Sequence, residues 1–246
     1  MAATVFYVDE VPAPGAVAVL DGAEGRHAAT VRRIRVGESI TLSDGRGVLA
    51  DSTVVAAHRD RLELTVRDRV RATPAAPRVT VAQALPKSDR SELAVELMTE
   101  AGADAIIPWR AARCIANWEG KEAKAIGKWR AAARAAARQS RRAYIPDVAR
   151  LYRTRDLLHL IRQVTTDGAV AVALHESGRS RFAELPLADA TEIVLVVGPE
   201  GGLDEAEITA LAAAGANIAL LGPTVLRTST AAAVALGALG ALTARW

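Results

Sequence analysis

Residues 192–230 read EIVLVVGPEGGLDEAEITALAAAGANIALLGPTVLRTST and contain two apolar strands that each run into a Gly-Pro loop. The segments 192–197 and 217–221 have the largely apolar composition that is typical of strands buried on both faces of a parallel sheet. Between them, residues 204–214 have a helical composition that stops at Gly215. Strand, helix and strand in this order predict an α/β domain built around a parallel sheet.

The same alternation extends over residues 78–246. Further strands are predicted at 79–85, 105–108 and 170–174, and further helices at 90–101, 121–143 and 229–244. Residues 1–72 have a different pattern of short alternating segments and turns, interrupted by one helix at 24–34. This pattern predicts a small β-rich domain, a barrel or a sandwich. Residues 73–77, TPAAP, are predicted as the linker.

The composition excludes several classes of protein. Half of the 246 residues are hydrophobic and the net charge is only +3, so the chain is not intrinsically disordered. Cys114 is the single cysteine, which excludes a disulfide framework and a cysteine-based zinc site, and we expect no metal. We see no signal peptide and no uncharged apolar stretch of membrane-spanning length, so we expect a cytoplasmic protein without membrane contact.

Positive charge is concentrated in the middle of the chain. Residues 73–165 contain 17 basic and nine acidic side chains, whereas residues 166–246 contain four basic and nine acidic ones. The predicted helix 121–143 has eight cations within one half of its surface and an apolar opposite half. A concentrated basic surface favours a polyanionic partner such as RNA, although an ordinary solvated helix is the alternative.

Nine residues are candidate RNA contacts on this basis. Five come from the helix 121–143 and its end, and four come from the predicted helix 24–34 and its end. They are Lys128, Arg134, Arg138, Arg141 and Arg142, and Arg26, Arg32, Arg33 and Arg35.

The two Gly-Pro loops, 197–204 and 220–230, follow the carboxyl ends of strands, where open α/β sheets bind ligands. Neither loop has the GxGxxG pattern of dinucleotide sites or the GxxxxGK[ST] pattern that holds phosphates, so NAD and ATP are disfavoured. Two ordinary strand-to-helix turns are the alternative. Their repetition on consecutive strands favours a ligand site.

Together, the segments 198–203 and 221–230 resemble the cofactor-binding signature of the SPOUT superfamily of methyltransferases. Within it, the chain is most similar to the bacterial family that methylates N3 of one uridine in 16S ribosomal RNA. Lys87, Asp89, Arg90 and Arg113 also stand at positions of that family. The resemblance implies a SPOUT α/β domain with a deep trefoil knot at 78–246, preceded by a PUA-like RNA-binding β-barrel at 1–72.

The resemblance also implies S-adenosyl-L-methionine as the cofactor, and 16S ribosomal RNA or the small ribosomal subunit as the partner. The positions that it assigns to cofactor binding are Leu174, His175, Val197, Gly198, Gly201, Leu221, Gly222, Leu226, Arg227 and Thr228. Arg227 and Glu200 are the candidate catalytic residues. A guanidinium at Arg227 would stabilise the negative charge that spreads over the uracil oxygens as N3 loses its proton. For Arg227, the alternative is an ion pair that holds the loop. For Glu200, the alternative is capping of the helix near Asp204.

The chain departs from the family pattern at six positions that affect peripheral contacts more than cofactor binding. These positions are Leu97, Ala111, Ala112, Arg138, Arg141 and Ser229.

The segment 231–242 has no charged residue, and a helix that is apolar all round is expected to be buried on all sides. The resemblance implies a homodimer through the knot and this helix. Two other functions stay open. A non-catalytic RNA-binding or ribosome-assembly factor would not need Gly198, Gly222 or Arg227. A SPOUT methyltransferase that acts on transfer RNA is disfavoured by the PUA-like N-terminus.

Overall fold

The computed structural model describes residues 4–246 and divides into two compact units. The first unit runs to Pro74 and includes Ala137–Ile145, and the second consists of Ala75–Ala136 and Pro146–Trp246. The predicted division into 1–72, a linker at 73–77 and 78–246 assigns the segment Ala137–Ile145 to the second domain, whereas in the structure it belongs to the first unit. That division stays a prediction about domains.

The first unit is built on a five-stranded, mostly antiparallel sheet. Its strands are β1 (Val5–Tyr7), β2 (Val17–Leu20), β3 (Ser39–Ser43), β4 (Val48–His58) and β5 (Arg61–Arg71), in the spatial order β1-β3-β4-β5-β2. Among these five described strands, only β1 and β3 pair in parallel. Leu62, Leu64 and Val66 alternate along β5 into the buried core of this unit. The predicted β-rich N-terminal part is confirmed.

The helix predicted at 24–34 begins at Gly22 and ends at Val31, earlier than expected at both ends. Helix α1 covers Gly22–Arg26 and continues into a wider helical turn at His27–Val31. Arg33 then has a φ of 55°, in the left-handed region, which ends the helical backbone. Arg32, Arg33 and Arg35 therefore lie beyond the helix on which they were predicted.

The second unit contains an eight-stranded sheet in which every pair is parallel, which confirms the predicted α/β class. Its strands are β6 (Arg78–Ala84), β7 (Ala105–Arg110), β8 (Asp147–Val148), β9 (Tyr152–Arg153), β10 (Val170–Leu174), β11 (Ser180–Arg181), β12 (Glu192–Val197) and β13 (Asn217–Leu220). Its helices are α2 (Ser91–Glu100), α3 (Glu122–Gln139), α4 (Thr154–Thr166), α5 (Glu205–Ala213) and α6 (Thr228–Leu242). The last turn of α3 belongs to the first unit.

Helices cover both faces of this sheet. Val79 and Val81 of β6 point into one core, with buried residues of α2, α3 and α6. Ala82 and Ala84 of the same strand point into the other core, with buried residues of α4 and α5. Burial on both faces explains why these strands are apolar along their whole length.

Three helices differ from their prediction. Helix α3 ends at Gln139 rather than at 143, because Arg141 takes a left-handed φ of 58° and the Arg142 amide returns to the Ala137 carbonyl at 2.8 Å. Helix α4 was missed. Helix α6 is not buried on all sides of the single chain, since Val234 is 43% exposed.

The strand order decides which loops meet. The central part of the sheet runs β13-β10-β12-β6, so the carboxyl ends of these four parallel strands lie at one edge. This is the edge at which open α/β sheets bind ligands. The trefoil knot stays a prediction. In the part of the chain that the structure describes, no helix is long and apolar enough to cross a membrane.

Candidate active site

A cavity of about 960 Å³ lies at the carboxyl ends of β6, β10, β12 and β13. It is lined by every residue that the sequence predicts for catalysis or cofactor binding. These are Leu174, His175, Val197, Gly198, Glu200, Gly201, Leu221, Gly222, Leu226, Arg227 and Thr228. Residues from three separate segments of the chain thus converge on one site, which we call the reaction cavity.

The first Gly-Pro loop has a shape that other side chains restrict. The Gly202 amide donates to the Pro199 carbonyl at 2.9 Å, and Gly202 has a φ of 73°, a conformation that glycine adopts without strain. A Cβ atom on Gly201 would lie 3.1 Å from the Arg113 Cβ atom. The Arg113 Nη1 atom also donates to the Gly201 carbonyl at 3.2 Å. This loop is therefore held from outside the cavity by Arg113.

Glu200 connects two loops rather than capping a helix. Its Oε1 atom accepts a hydrogen bond from the Lys87 backbone amide at 3.0 Å. The cap of α5 is Asp204, whose Oδ1 atom accepts from the Glu207 amide at 2.7 Å. The capping alternative for Glu200 is therefore wrong. Its carboxylate fixes the loop after β12 against the segment after β6.

Sequence reasoning did not include Lys87, Asp89 and Arg90 among the site residues, although all three line the reaction cavity. They stand just after β6 and overlap a short helical turn, Ser88–Arg90. Two signals were available in the sequence: the apolar strand that precedes these residues, and their match to positions of the resembled family. The pairing of β6 with β12, which brings the two loops together, has no local sequence signature.

Arg227 immediately precedes α6, and its carbonyl accepts from the amides of Thr230 at 2.8 Å and Ala231 at 3.0 Å. Its side chain is exposed, and among residues 4–246 no carboxylate lies within ion-pair distance of it. The alternative of a loop-holding ion pair therefore has no partner here. The guanidinium is available to a ligand in the reaction cavity.

The start of α6 is buried and polar. Thr228 accepts a hydrogen bond at its carbonyl from the buried Gln83 Nε2 atom at 3.3 Å. The neighbouring Ser229, one of the departures from the family pattern, is 2% exposed, and its hydroxyl has no hydrogen-bond partner among the described residues. The hydrogen bond from Gln83 to Thr228 anchors the second Gly-Pro loop to the end of β6.

His175 borders the reaction cavity in a local turn. Its Nδ1 atom accepts from the Ser177 amide at 3.1 Å and lies 2.8 Å from the Ser177 hydroxyl. The charged lining of the cavity is balanced, with three cations and three carboxylates. They are Lys87, Arg90 and Arg227, and Asp89, Glu176 and Glu200. A balanced lining suits a ligand that has charges of both signs.

Two side chains near the reaction cavity, the buried Glu207 and the half-buried Cys114, have structural rather than chemical roles. Glu207 is 5% exposed and accepts from the Ala112 amide at 2.8 Å and the Thr154 hydroxyl at 3.1 Å. The segment that departs from the family pattern at Ala111 and Ala112 is thus anchored through its backbone. Burial raises the pKa of the Cys114 thiol, so this thiol stays protonated near neutral pH and is a poor nucleophile.

The candidate RNA contacts lie outside the reaction cavity. Exposed members are Arg26, Arg32, Arg33, Arg35, Lys128, Arg134 and Arg141. Arg138 and Arg142 are half-buried, and Arg138 forms an ion pair with Glu24 at 3.2 Å. Lys128 pairs with Glu92 at 3.5 Å. The basic surface is therefore partly neutralised by acidic residues that the helical pattern does not show.

The described residues, 4–246, contain no group of three or more His, Cys, Asp or Glu side chains that could hold a metal ion.

Comparison with known proteins gives a consistent set of relatives. A family model described as an RNA methyltransferase domain matches residues 73–240, and one described as an RNA methyltransferase PUA domain matches residues 20–67. The ribosomal RNA small subunit methyltransferase E of Mycobacterium bovis is 56% identical over 247 residues, covering 100% of this chain and 94% of the relative. The protein of the same name from Bacillus subtilis is 33% identical, covering 89% and 88%.

A solved structure extends this similarity to the fold. The crystal structure of a ribosomal RNA small subunit methyltransferase E from Neisseria gonorrhoeae, bound to S-adenosyl methionine, has a TM-score of 0.88 to this chain. The two are 26% identical, and the match covers 98% of each chain.

Proposed function

This chain belongs to the RNA methyltransferase family, and from that premise we propose that it transfers a methyl group from S-adenosyl-L-methionine to N3 of one uridine in 16S ribosomal RNA. The observation that carries the proposal is the convergence of all eleven predicted residues on one cavity at the carboxyl edge of the parallel sheet. The names of the relatives support ribosomal RNA of the small subunit as the substrate.

The residues of the reaction cavity fit this cofactor. Its volume of about 960 Å³ lies within the range of roughly 300–1,000 Å³ that is usual for small-molecule sites. Leu174, Val197, Leu221 and Leu226 offer apolar walls for an adenine ring, and the glycines allow the backbone to approach the ligand. Glu176 and Glu200 offer carboxylates to the positively charged sulfonium and ammonium groups of the cofactor. When bound, the cofactor supplies an activated methyl group.

Arg227 has the position and charge to assist the acceptor. Removal of the N3 proton of uracil leaves negative charge that is shared with O2 and O4. An exposed guanidinium without a carboxylate partner, at the edge of the reaction cavity, can donate hydrogen bonds to those oxygens as the charge develops. Arg227 is therefore the catalytic residue of the proposal.

Glu200 acts as a positioning residue in the same scheme. Its hydrogen bond to the Lys87 amide keeps the segment 87–90 beside the loop that contains Gly198 and Gly201. Fixing these two walls orients the reacting groups and reduces the entropy lost in the transition state.

The exposed apolar part of α6 supports a homodimer in which a second copy covers it. Val234 and Leu242 are 43% and 37% exposed although the segment 231–242 has no charge. A second copy that covers α6 would bury these two apolar side chains, which the single chain leaves in contact with solvent. Analytical ultracentrifugation of the wild type and of Val234→Asp tests this, because the proposal requires a dimer that the aspartate weakens. The proposed substrate also places the enzyme in the cytoplasm, with the ribosome.

Nucleoside mass spectrometry tests the proposed reaction. Small-subunit ribosomal RNA without the modification and bulk transfer RNA are each incubated with the protein and isotope-labelled S-adenosyl-L-methionine. We expect one labelled 3-methyluridine per 16S molecule and none in transfer RNA. Label in transfer RNA would favour the tRNA-directed enzyme. RNA binding without methyl transfer, in assays on both free 16S RNA and assembled small subunits, would favour the non-catalytic assembly factor.

A further inference from the structure

A second cavity, of about 700 Å³, adjoins the reaction cavity. All four lysines of the chain line it, and we call it the lysine cavity: Lys87, Lys121, Lys124 and Lys128. Lys87 and Asp89 line both cavities, so the short helical turn after β6 is the wall that they share. A chain molecule held in one cavity can continue into the other.

The positive charge of the lysine cavity does not stabilise the folded chain. Lys124 and Lys128 stand four residues apart on α3, a spacing at which like charges destabilise a helix. Lys121 directly precedes the helix. Lys128 pairs with Glu92, but Lys121 and Lys124 have no ion pair among the described residues. Four lysines face two carboxylates, Asp89 and Glu92. The cavity therefore favours an anionic ligand, whereas the lining of the reaction cavity is balanced.

The lysine cavity also has an aromatic wall. Trp118 and Trp129 pack edge-to-face, with ring centroids 5.1 Å apart and an interplanar angle of 89°. Trp129 is 1% exposed, and its indole nitrogen donates to the Ser91 hydroxyl at 2.8 Å, so it forms a fixed support. Trp118 is only half-buried and lines the cavity. Cations beside an aromatic ring are the combination that binds single-stranded nucleic acid, through phosphates and stacked bases.

We propose that the lysine cavity binds the single-stranded RNA next to the target uridine. The lysine ammonium groups contact its phosphates, and Trp118 stacks against one unpaired base. The inference rests on the proposed function, because the shared wall at Lys87 and Asp89 places the neighbouring nucleotide in the lysine cavity when the acceptor uridine occupies the reaction cavity.

Amine-specific labelling gives a direct test, because every lysine of the chain lies around this one cavity. The protein is labelled with a succinimidyl ester, with and without a saturating, unmodified fragment of 16S RNA that contains the proposed target uridine, and each lysine is followed by mass spectrometry. We expect the RNA to slow labelling of Lys121, Lys124 and Lys128 several-fold, and S-adenosylhomocysteine alone to leave Lys121 and Lys124 unprotected. Equal labelling rates with and without bound RNA would overturn the inference.

Variants test the two kinds of contact separately. The double variant Lys121→Gln/Lys124→Gln should reduce the slope of log K against log salt by about 1.4, since each single-strand phosphate contact contributes about 0.7. Arg162→Gln is the matched control, an exposed cation on α4 at the opposite face of the sheet, and it should leave the slope unchanged. Trp118→Ala should weaken RNA binding roughly 5- to 150-fold and Trp118→Phe much less, because phenylalanine retains a stacking surface.

Thermal unfolding of both Trp118 variants separates lost stacking from lost folding. If Trp118→Phe and Trp118→Ala weaken RNA binding equally at equal stability, stacking at Trp118 is refuted.

Methyl transfer on the same RNA distinguishes this inference from the proposed function. The lysine double variant should raise KM for RNA and leave both kcat and the affinity for S-adenosylhomocysteine unchanged. The wild type could methylate the RNA while the RNA protects no lysine and the double variant shows no change in KM. That result would refute RNA binding in the lysine cavity and leave the proposed function intact. If the wild type methylates no small-subunit RNA, the function fails, and lysine protection by bound RNA still decides what the cavity binds.

Discussion

Replacement of Arg227 by alanine is the most direct perturbation of the proposed chemistry. Removing one donor that stabilises developing negative charge costs about 10²- to 10³-fold in turnover. Because the Arg227 side chain is exposed and solvent screens its charge, we expect the lower end, about a hundredfold. Arg227→Lys should recover part of the loss, since it retains the charge but not the planar pair of donors.

The structure also predicts what the alanine variant leaves unchanged. Among residues 4–246 no carboxylate pairs with Arg227, so the loss of its side chain breaks no ion pair. Its backbone contacts to Thr230 and Ala231 do not depend on the side chain. We therefore expect the free energy of unfolding to change by no more than about 0.5 kcal/mol.

Single-turnover methylation at saturating cofactor, calorimetric titration of S-adenosylhomocysteine and thermal unfolding provide the three measurements. Arg162→Ala is the control for loss of an exposed cation elsewhere. Near-normal turnover of Arg227→Ala would refute the catalytic assignment. A joint fall of cofactor affinity and stability, with turnover preserved, would identify Arg227 as a loop-holding residue instead.

Three further predictions follow from specific contacts. Gly222→Ala places its Cβ atom in open space, so stability should be unchanged while the affinity for S-adenosylhomocysteine falls about tenfold; an unchanged affinity would show that this loop does not approach the cofactor closely. Arg245→Ala removes a buried guanidinium that donates to Asp104 at 2.8 Å, and urea unfolding should reveal a loss of about 3–5 kcal/mol, whereas a loss below 1 kcal/mol would contradict this view of the pair. Cys114 has a raised pKa because it is buried, so its rate of alkylation by iodoacetamide should rise only at pH values above those at which an ordinary thiol ionises; a midpoint at the ordinary thiol value would contradict the burial effect.

Local patterns in the sequence determined much of the fold and the reaction cavity. Apolar runs fix the strands β10 and β12 at their predicted bounds, and the two Gly-Pro loops, 197–204 and 220–230, supply most of the residues that line the cavity. These signals are local because burial on both faces makes a strand apolar along its length. At single positions, glycine also widens the range of backbone conformations and proline narrows it.

Tertiary structure alone decided which distant residues meet. The pairing of β6 with β12 brings Lys87 to Glu200, 113 positions away, and it sets the wall shared by the two cavities. Arg138 belongs to a basic helical pattern, yet the fold pairs it with Glu24 and neutralises part of that surface. Periodicity reports whether a side chain faces a core or solvent, but the identity of its neighbour depends on strand order and packing. Those contacts join residues far apart in sequence, so no short segment encodes them.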